Sequence, residues 1–212
     1  MIKINEIFFS IQGESSLAGW PTVFVRTSGC NLMCTYCDTT HAYYDGSEMS
    51  AAMIVEKVQS FPTTFVCITG GEPLLQQDVL PLMKDLCDLG YTVSLETSGS
   101  LPCEGVDSRV KKILDVKTPD SGEGDSFDLE NLARLQETDE LKFVIGSEQD
   151  FNWAEQFITK NSLKNRCLVL YSPSFGIVEE KWLAKKILLE KSSARLQLQL
   201  HKYIWPPDAR GV

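Results

Sequence analysis

The chain has 212 residues, of which 43% are hydrophobic and 23% charged, as in an ordinary globular protein rather than a disordered or fibrous one. Acidic residues outnumber basic ones by 29 to 20, and the net charge of −9 repels nucleic-acid phosphates, so no nucleic-acid partner is expected. The apolar runs are too short to span a membrane, and the first residues lack a signal-peptide pattern. We therefore expect one domain over residues 1–212, located in the cytoplasm.

Apolar stretches rich in β-branched and aromatic residues alternate along the chain with stretches of helical periodicity. The stretches predicted as strands are 4–11, 22–27, 63–69, 91–96, 112–117, 140–145 and 167–171. Those predicted as helices are 50–59, 76–89, 129–135, 150–159 and 178–189. In residues 195–200, Leu alternates with Arg or Gln, which predicts a last strand with one wet face at a sheet edge.

This alternation predicts an α/β fold with a mostly parallel sheet and helices packed outside it. The number of strands suits a curved sheet that forms a truncated, partial barrel rather than a closed one. Residues 118–128 are rich in Pro, Gly, Ser and Asp, and this composition predicts a mobile loop.

The cysteines carry the first chemical signal. Seven thiols in a chain expected in a reducing compartment favour metal binding over disulfides. Three of them, Cys30, Cys34 and Cys37, lie within eight residues after the second predicted strand. A structural zinc site or an ordinary four-iron cluster takes four protein ligands, so three thiolates leave one iron open for chemistry. The alternative is that some of the three are small buried hydrophobes, which is our interpretation of the other four: Cys67, Cys87, Cys103 and Cys167.

The spacing Cys-x3-Cys-x2-Cys resembles the signature of the radical S-adenosylmethionine superfamily. A second segment, Thr-Gly-Gly-Glu-Pro at 69–73, follows a predicted strand and is similar to the methionine-binding turn of that superfamily. Glycines let the backbone approach a ligand closely, and the Glu72 carboxylate could pair with the ammonium group of the ligand. The Gly-Gly-Glu-Pro segment alone is a weak signal, because Gly and Pro are common in turns at strand ends, but together with the cysteines in this order it is a strong one.

Further segments resemble the 7-carboxy-7-deazaguanine synthase family over nearly the whole chain. They are Phe-Ser-Ile-Gln-Gly-Glu-Ser at 9–15, Arg26, Cys-Asp-Thr at 37–39, Leu-Glu-Thr-Ser-Gly at 95–99, Leu-Asp-Val-Lys-Thr-Pro at 114–119 and His-Lys-Tyr at 201–203. The resemblance implies a lyase that converts 6-carboxy-5,6,7,8-tetrahydropterin to 7-carboxy-7-deazaguanine with loss of ammonia, in the biosynthesis of queuosine and other deazapurines. A reduced 4Fe-4S cluster would cleave S-adenosyl-L-methionine to a radical that starts the reaction.

The same resemblance assigns residues to ligands. The metal ligands would be Cys30, Cys34 and Cys37 for the cluster and Thr39 for Mg2+. S-adenosyl-L-methionine would contact Tyr36, Asp38, Gly71, Glu72, Glu96, Ser98, Asp115, Val116 and Lys117. The pterin would contact Ile11, Gln12, Gly13, Arg26, Thr69 and His201. No acid or base is assigned. The implied partners are a second copy of the chain and an electron donor such as flavodoxin or ferredoxin.

The chain departs from the family pattern at two places. Some relatives carry Ser-Pro-Lys where residues 115–117 are Asp-Val-Lys, so only Lys117 is identical there. Relatives often end soon after the late histidine and close the site with the terminal carboxylate, whereas this chain continues past Pro207 to Val212. The second departure puts that closing role in doubt.

Other interpretations of the same residues stay open at this point. A guanidinium matches a carboxylate bidentately, but without the family Arg26 would be interpreted as a surface cation, and Gln12 and Thr39 as turn residues. We predict His41 to be a solvated loop residue. An enzyme that activates glycyl-radical proteins would share the cysteines and the Gly-Gly-Glu-Pro turn. A non-enzymatic zinc or iron–sulfur binding module is the alternative from another class.

Overall fold

The computed structural model describes residues 1–207 and 209–212, and its centre is one open sheet of nine strands. In chain order the strands are β1 (Ile2–Ile11), β2 (Pro21–Thr27), β3 (Ser47–Met49), β4 (Phe65–Gly70), β5 (Thr92–Thr97), β6 (Lys111–Asp115), β7 (Glu140–Ile145), β8 (Leu168–Pro173) and β9 (Arg195–Leu196). Their order in space is β3-β1-β2-β4-β5-β6-β7-β8-β9. From β2 to β9 all neighbours are parallel, while β1 and β3 run antiparallel to theirs. The predicted mostly parallel α/β fold is confirmed.

Of the five helices, α1 to α4 each bury one face, whereas α5 has no buried residue. They are α1 (Ala51–Gln59), α2 (Val79–Asp88), α3 (Glu148–Lys160), α4 (Glu180–Leu189) and α5 (His201–Ile204). In α2 the predicted row of Val79, Leu82, Met83 and Leu86 is fully buried, as steps of three and four residues require. Ser147 caps the start of α3 by accepting a hydrogen bond from the Asp150 N–H. Within the described residues, no helix has the length and apolar character needed to cross a membrane.

Four elements differ from the sequence-based expectation. The α-helix predicted over 129–135 is wrong, because Leu129–Arg134 forms a 3-10 helix with only Asn131 and Leu132 buried. The last strand lies at the sheet edge as predicted, but it has only two residues, Arg195–Leu196. The short elements β3 and α5 were not predicted, since three or four residues are too few to show a periodicity.

Segment 118–128 is anchored at its start by a carboxylate on α3. Asp150 is fully buried and accepts hydrogen bonds from the Thr118 hydroxyl at 3.0 Å, the Asp120 N–H at 3.0 Å and the Gly146 N–H at 2.9 Å. Thr118 and Ser121 are themselves fully buried. The composition of this segment indicates turns, but it gives no sign of the anchor on a distant helix, so the mobility that we predicted does not hold for its first turn.

The loop between β1 and β2 crosses to the far side of the sheet. The Ser16 N–H donates to both oxygens of Glu140 on β7, at 3.1 and 3.2 Å, and the Ser15 N–H donates to the Gln197 side chain at 2.6 Å. The Leu200 N–H donates to the Gly13 carbonyl at 3.0 Å. This loop therefore connects the first strands to the last ones where strand pairing leaves the sheet open.

Replacing Asp150 with Ala tests the anchor. The change leaves the N–H groups of Asp120 and Gly146 without an acceptor, while the Thr118 hydroxyl keeps the Val144 carbonyl, so the free energy of unfolding should fall by about 1 to 3 kcal/mol in urea denaturation. Asp150→Asn keeps one acceptor oxygen and should lose less. A loss below about 0.5 kcal/mol in Asp150→Ala, the range of ordinary surface substitutions, would contradict the anchoring role.

Candidate active site

A cavity of about 260 Å³ opens at the carboxyl ends of the parallel strands. In parallel sheets these ends meet at one edge, which is where α/β proteins bind ligands. All but two of the residues predicted for the site line this cavity. Those lining residues are Ile11, Gln12, Gly13, Arg26, Cys30, Cys34, Tyr36, Cys37, Asp38, Thr39, Thr69, Gly71, Glu96, Ser98, Asp115, Lys117 and His201. The two exceptions are Glu72 and Val116.

The cysteine loop lies on one wall and is fastened by neighbouring loops. The Thr35 N–H donates to the Ser121 carbonyl at 3.0 Å, and its hydroxyl donates to the Asp120 carbonyl at 2.8 Å. The Met33 N–H donates to the Glu123 carboxylate at 2.7 Å. The loop that carries the thiols is therefore held by the segment after β6.

The three thiols of this loop all line the cavity. They are free, partly exposed and face the same cavity. Among the described residues, no three His, Cys, Asp or Glu side chains converge closely enough to hold one metal ion. Burial raises the pKa of Cys34 to about 11, so the thiol must lose a proton on binding iron.

The Gly-Gly-Glu-Pro turn packs directly on the cysteine loop. A Cβ at Gly71 would lie 2.0 Å from the Gly29 carbonyl oxygen, so only glycine fits there. Glu72 is fully buried behind the cavity wall, and its N–H donates to the same Gly29 carbonyl at 2.8 Å. Its carboxylate accepts from the Leu74 N–H, the Thr97 hydroxyl, and the N–H and hydroxyl of Ser98. Glu72 thus ties the turn to the end of β5.

Val116, the other exception, is also fully buried, and its N–H donates to the Lys142 carbonyl at 2.8 Å. For Glu72 and Val116 the structure therefore gives positions that support the site from behind. Their contacts with S-adenosyl-L-methionine, which the resemblance implies, stay a prediction.

Arg26 lies in the cavity wall, not on the protein surface, with 16% of its side chain exposed. Its Nε donates to Glu6 at 2.8 Å, and the guanidinium lies 5.6 Å from the centre of the Phe8 ring. None of its hydrogen bonds to the described residues uses a terminal nitrogen. Glu6 also lies 3.7 Å from Nε2 of His41, whose side chain is only 13% exposed, so our prediction that His41 is solvated is wrong.

Glu96 joins two residues predicted to contact the substrate. It accepts a hydrogen bond from the Thr69 hydroxyl at 3.1 Å and one from the Gln12 amide at 3.4 Å. Burial raises the pKa of the Glu96 carboxyl, and the nearby charge of Glu14 raises it further. Glu96 therefore connects Gln12 and Thr69 at the cavity wall, and its contact with S-adenosyl-L-methionine stays a prediction.

Glu14 and Lys142 are cavity residues that the sequence analysis missed. Lys142 Nζ lies 2.7 Å from Glu14 and 3.2 Å from Asp115, and Lys117 Nζ lies 3.0 Å from the same Asp115 oxygen. Burial alone would raise the pKa of Glu14, but the charge of Lys142 holds it below its usual value. Burial would lower the pKa of Lys142, but Asp115, Glu14 and Glu96 raise it well above its usual value. We call Glu14, Lys142, Asp115 and Lys117 the charged floor.

The end of the chain completes the wall. A Cβ at Gly13 would lie 2.2 Å from Nδ1 of His201, so α5 is seated directly on this glycine. Lys202 Nζ lies 2.7 Å from the Asp38 carboxylate, which connects α5 to the cysteine loop. Val212 also lines the cavity, so the residues beyond Pro207 return to the site.

Comparisons with known proteins agree with this geometry. The sequence model of the Radical SAM superfamily matches residues 24–121. The 7-carboxy-7-deazaguanine synthase of Chlorobaculum tepidum is 46% identical over 100% of this chain and 97% of its own length. The synthase of the same name from Koribacter versatilis is 42% identical over 100% of both chains. The crystal structure of QueE from Escherichia coli superimposes with a TM-score of 0.76 at 23% identity and covers 94% of each chain, which shows the same fold.

A radical SAM fold with three cysteines on one cavity wall defines the class of protein. The full-length identities narrow it further, and the chain belongs to the 7-carboxy-7-deazaguanine synthase family.

Replacing Glu96 with Gln tests whether the buried carboxylate charge destabilises the fold. Because the pKa of Glu96 is raised in the folded protein, ionisation destabilises the fold above the unfolded-state pKa and fully so above the folded-state pKa. Glu96→Gln should therefore raise the melting temperature relative to the parent more at pH 8 than at pH 4, where the carboxyl is largely protonated in both states. Glu56→Gln on the exposed face of α1 removes the same charge and should show no such pH dependence. Equal shifts of Glu96→Gln at both pH values would contradict the interpretation.

Proposed function

We propose that the protein converts 6-carboxy-5,6,7,8-tetrahydropterin to 7-carboxy-7-deazaguanine with loss of ammonia, as a lyase of deazapurine and queuosine biosynthesis. The observation that carries the proposal is a single cavity that holds Arg26 and Gln12 on one side and three free thiols on another. Neither an enzyme that activates glycyl-radical proteins nor a binding module without activity explains why Arg26 and Gln12 share a cavity with the thiols.

The substrate side is formed by strand ends and the chain terminus. The terminal nitrogens of Arg26 bind the pterin carboxylate, because a planar guanidinium can donate to both carboxylate oxygens at once. Its Nε meanwhile continues to donate to Glu6. The pterin ring carries N–H donors, which suit the Glu96 carboxylate and the Gln12 amide oxygen. Ile11, Gly13, Thr69 and His201 complete the contacts.

The cofactor side is formed by the cysteine loop and the ends of β4 to β6. Cys30, Cys34 and Cys37 hold a 4Fe-4S cluster, which with S-adenosyl-L-methionine supplies the radical that starts the reaction. Gly71 leaves its backbone accessible to the methionine group. The remaining side chains proposed to contact the cofactor are Tyr36, Asp38, Ser98, Asp115 and Lys117. The Thr39 hydroxyl is a hard oxygen ligand suited to Mg2+, which keeps several of its waters.

The proposal includes partners and location. We expect residues 1–212 to form one domain. We also expect the protein to act as a homodimer in the cytoplasm. Cluster reduction requires an electron donor, for which flavodoxin or ferredoxin is the expected class.

The test is anaerobic reconstitution with iron and sulfide, followed by incubation with S-adenosyl-L-methionine, a reductant, Mg2+ and the pterin. The expected product is 7-carboxy-7-deazaguanine. Cys34→Ala should lose the cluster and all activity, since Cys34 supplies one of only three thiolates. The matched control Cys87→Ala, on the outer helix α2, should keep both. Zinc without iron in the reconstituted parent would instead favour a binding module.

Replacing Arg26 separates substrate binding from radical generation. Arg26→Ala should cost roughly 2 to 5 kcal/mol in binding the pterin, because the buried carboxylate loses its partner. Slow uncoupled cleavage of S-adenosyl-L-methionine should survive, since the cysteine loop is untouched.

Arg26→Lys should recover only part of this loss, because one ammonium cannot serve Glu6 and the substrate carboxylate as separate nitrogens do. Glu6→Gln keeps an acceptor for Nε and should lose less than Arg26→Ala. Parent-like turnover in Arg26→Ala would place the pterin carboxylate elsewhere in the cavity.

A further inference from the structure

The register of the sheet places Lys142 beside Asp115. The two residues are direct partners in the parallel β6–β7 ladder, and both side chains face the cavity. Side chains alternate along β7, so Lys142 and Val144 point to the cavity, while Leu141 and Phe143 are fully buried in the hydrophobic core. A one-residue slip would move Lys142 into that core. Its position therefore follows from the strand pairing itself.

Lys142 is shared by two carboxylates that belong to different parts of the site. Its Nζ lies 2.7 Å from Glu14 Oε2 and 3.2 Å from Asp115 Oδ2, with 11% of the side chain exposed. Glu14 follows Gln12 and Gly13 on the substrate side and also accepts from Gln197 and Gln199, both at 3.1 Å. Asp115 stands beside Lys117 on the cofactor side.

Asp115 has one oxygen without a partner. Its Oδ1 is buried and makes no hydrogen bond with the described residues, although Oδ2 receives both lysines. An unpaired buried carboxylate oxygen is costly, and in a cavity wall it indicates a donor on the ligand. A ligand that donates a hydrogen bond to Oδ1 compensates part of the negative charge of Asp115. Asp115 then attracts Lys142 less strongly, and Lys142 interacts more strongly with Glu14.

We propose that Lys142 is a positioning residue that couples the binding of the pterin to the binding of S-adenosyl-L-methionine. The inference rests on the proposed function for the identity of the two ligands. Each ligand contacts one end of the Glu14–Lys142–Asp115 chain, so each changes the charge distribution that the other meets. Coupling of this kind is reciprocal, and the two affinity ratios must agree.

The experiment uses the cluster-loaded protein without reductant, so that neither ligand is consumed. Calorimetry gives the Kd of S-adenosyl-L-methionine with and without saturating pterin, and the Kd of the pterin with and without S-adenosyl-L-methionine. For each ligand, the two Kd values give one ratio. In the parent the ratio for S-adenosyl-L-methionine and the ratio for the pterin should be equal and lie between about 5 and 150, the usual range of coupling. In Lys142→Met they should fall to about 1, while Lys142→Arg, which keeps the charge, should retain most of the ratio.

A matched control comes from a second buried lysine on the same pair of strands. Lys112 lies 2.8 Å from Asp139, with 5% and 0% of the two side chains exposed, and neither lines the cavity. Lys112→Met disrupts a buried pair without touching the site, so it should lower the melting temperature and leave the coupling ratio unchanged. A merely structural role for Lys142 would make the two lysine variants behave alike.

A parent-like ratio in Lys142→Met, or a ratio of 1 in the parent, overturns the proposal. If Lys142→Met does not fold, Lys142→Gln serves in its place, because one amide can donate to a single carboxylate but carries no charge to share. Product formation by the parent is measured in parallel. Product formation without coupling would contradict only the proposed role of Lys142. Coupling without product formation would contradict the proposed reaction.

Discussion

Charges buried in the cavity must be compensated there, and this constraint governs the rest of the site. An uncompensated buried charge costs several kcal/mol, and breaking one partner from a buried pair is strongly destabilising. The charged floor contains two carboxylates and two lysines, with Glu96 close by and held by neutral donors. The pairing of β6 with β7 and the crossing of the β1–β2 loop both bring partners to these charges. The fold is thus fixed around the electrostatics of the cavity as well as around its apolar core.

The cysteine loop depends on a second set of contacts, which run through hydrogen bonds rather than charges. Asp150 on α3 holds the turn after β6, and that turn holds the backbone and hydroxyl of Thr35 between two of the thiols. Glu72 ties the glycine turn to β5 from behind. Groups behind the cavity wall therefore fix the positions of the residues that line it, which is how a site keeps its geometry.

Much of this arrangement could be predicted from the sequence, since strong patterns mark it. The strands follow continuous apolar runs, the cysteines have a specific spacing, and all but two of the predicted site residues line one cavity. Glu14 and Lys142 were missed because their roles depend on which strands are neighbours. A signal for Lys142 was present, since Glu140 and Lys142 alternate with apolar residues in a strand expected to be buried on both faces.

Glu72 shows a limit of sequence motifs. A motif identifies a residue type at a position but not the direction of its side chain, and here the neighbouring hydroxyls of Thr97 and Ser98 take up the carboxylate. The same limit explains His41. Its neighbour Glu6 is 35 residues earlier in the chain, as the numbering shows, and the loop composition alone indicates solvent exposure.

The seating of α5 on Gly13 has a consequence for how the protein is made. The hydrogen bonds from Gln197 and Gln199 to Glu14 join residues 183 and 185 positions apart, so the cavity wall is completed only after residue 199 has been synthesised. At elongation rates of about 5 to 20 residues per second, the thiol loop emerges on the order of ten seconds or more before His201. During that interval the cysteines have no enclosing wall. Loading with iron and sulfide before release would therefore expose a cluster to oxygen, and this geometry favours loading after synthesis has finished.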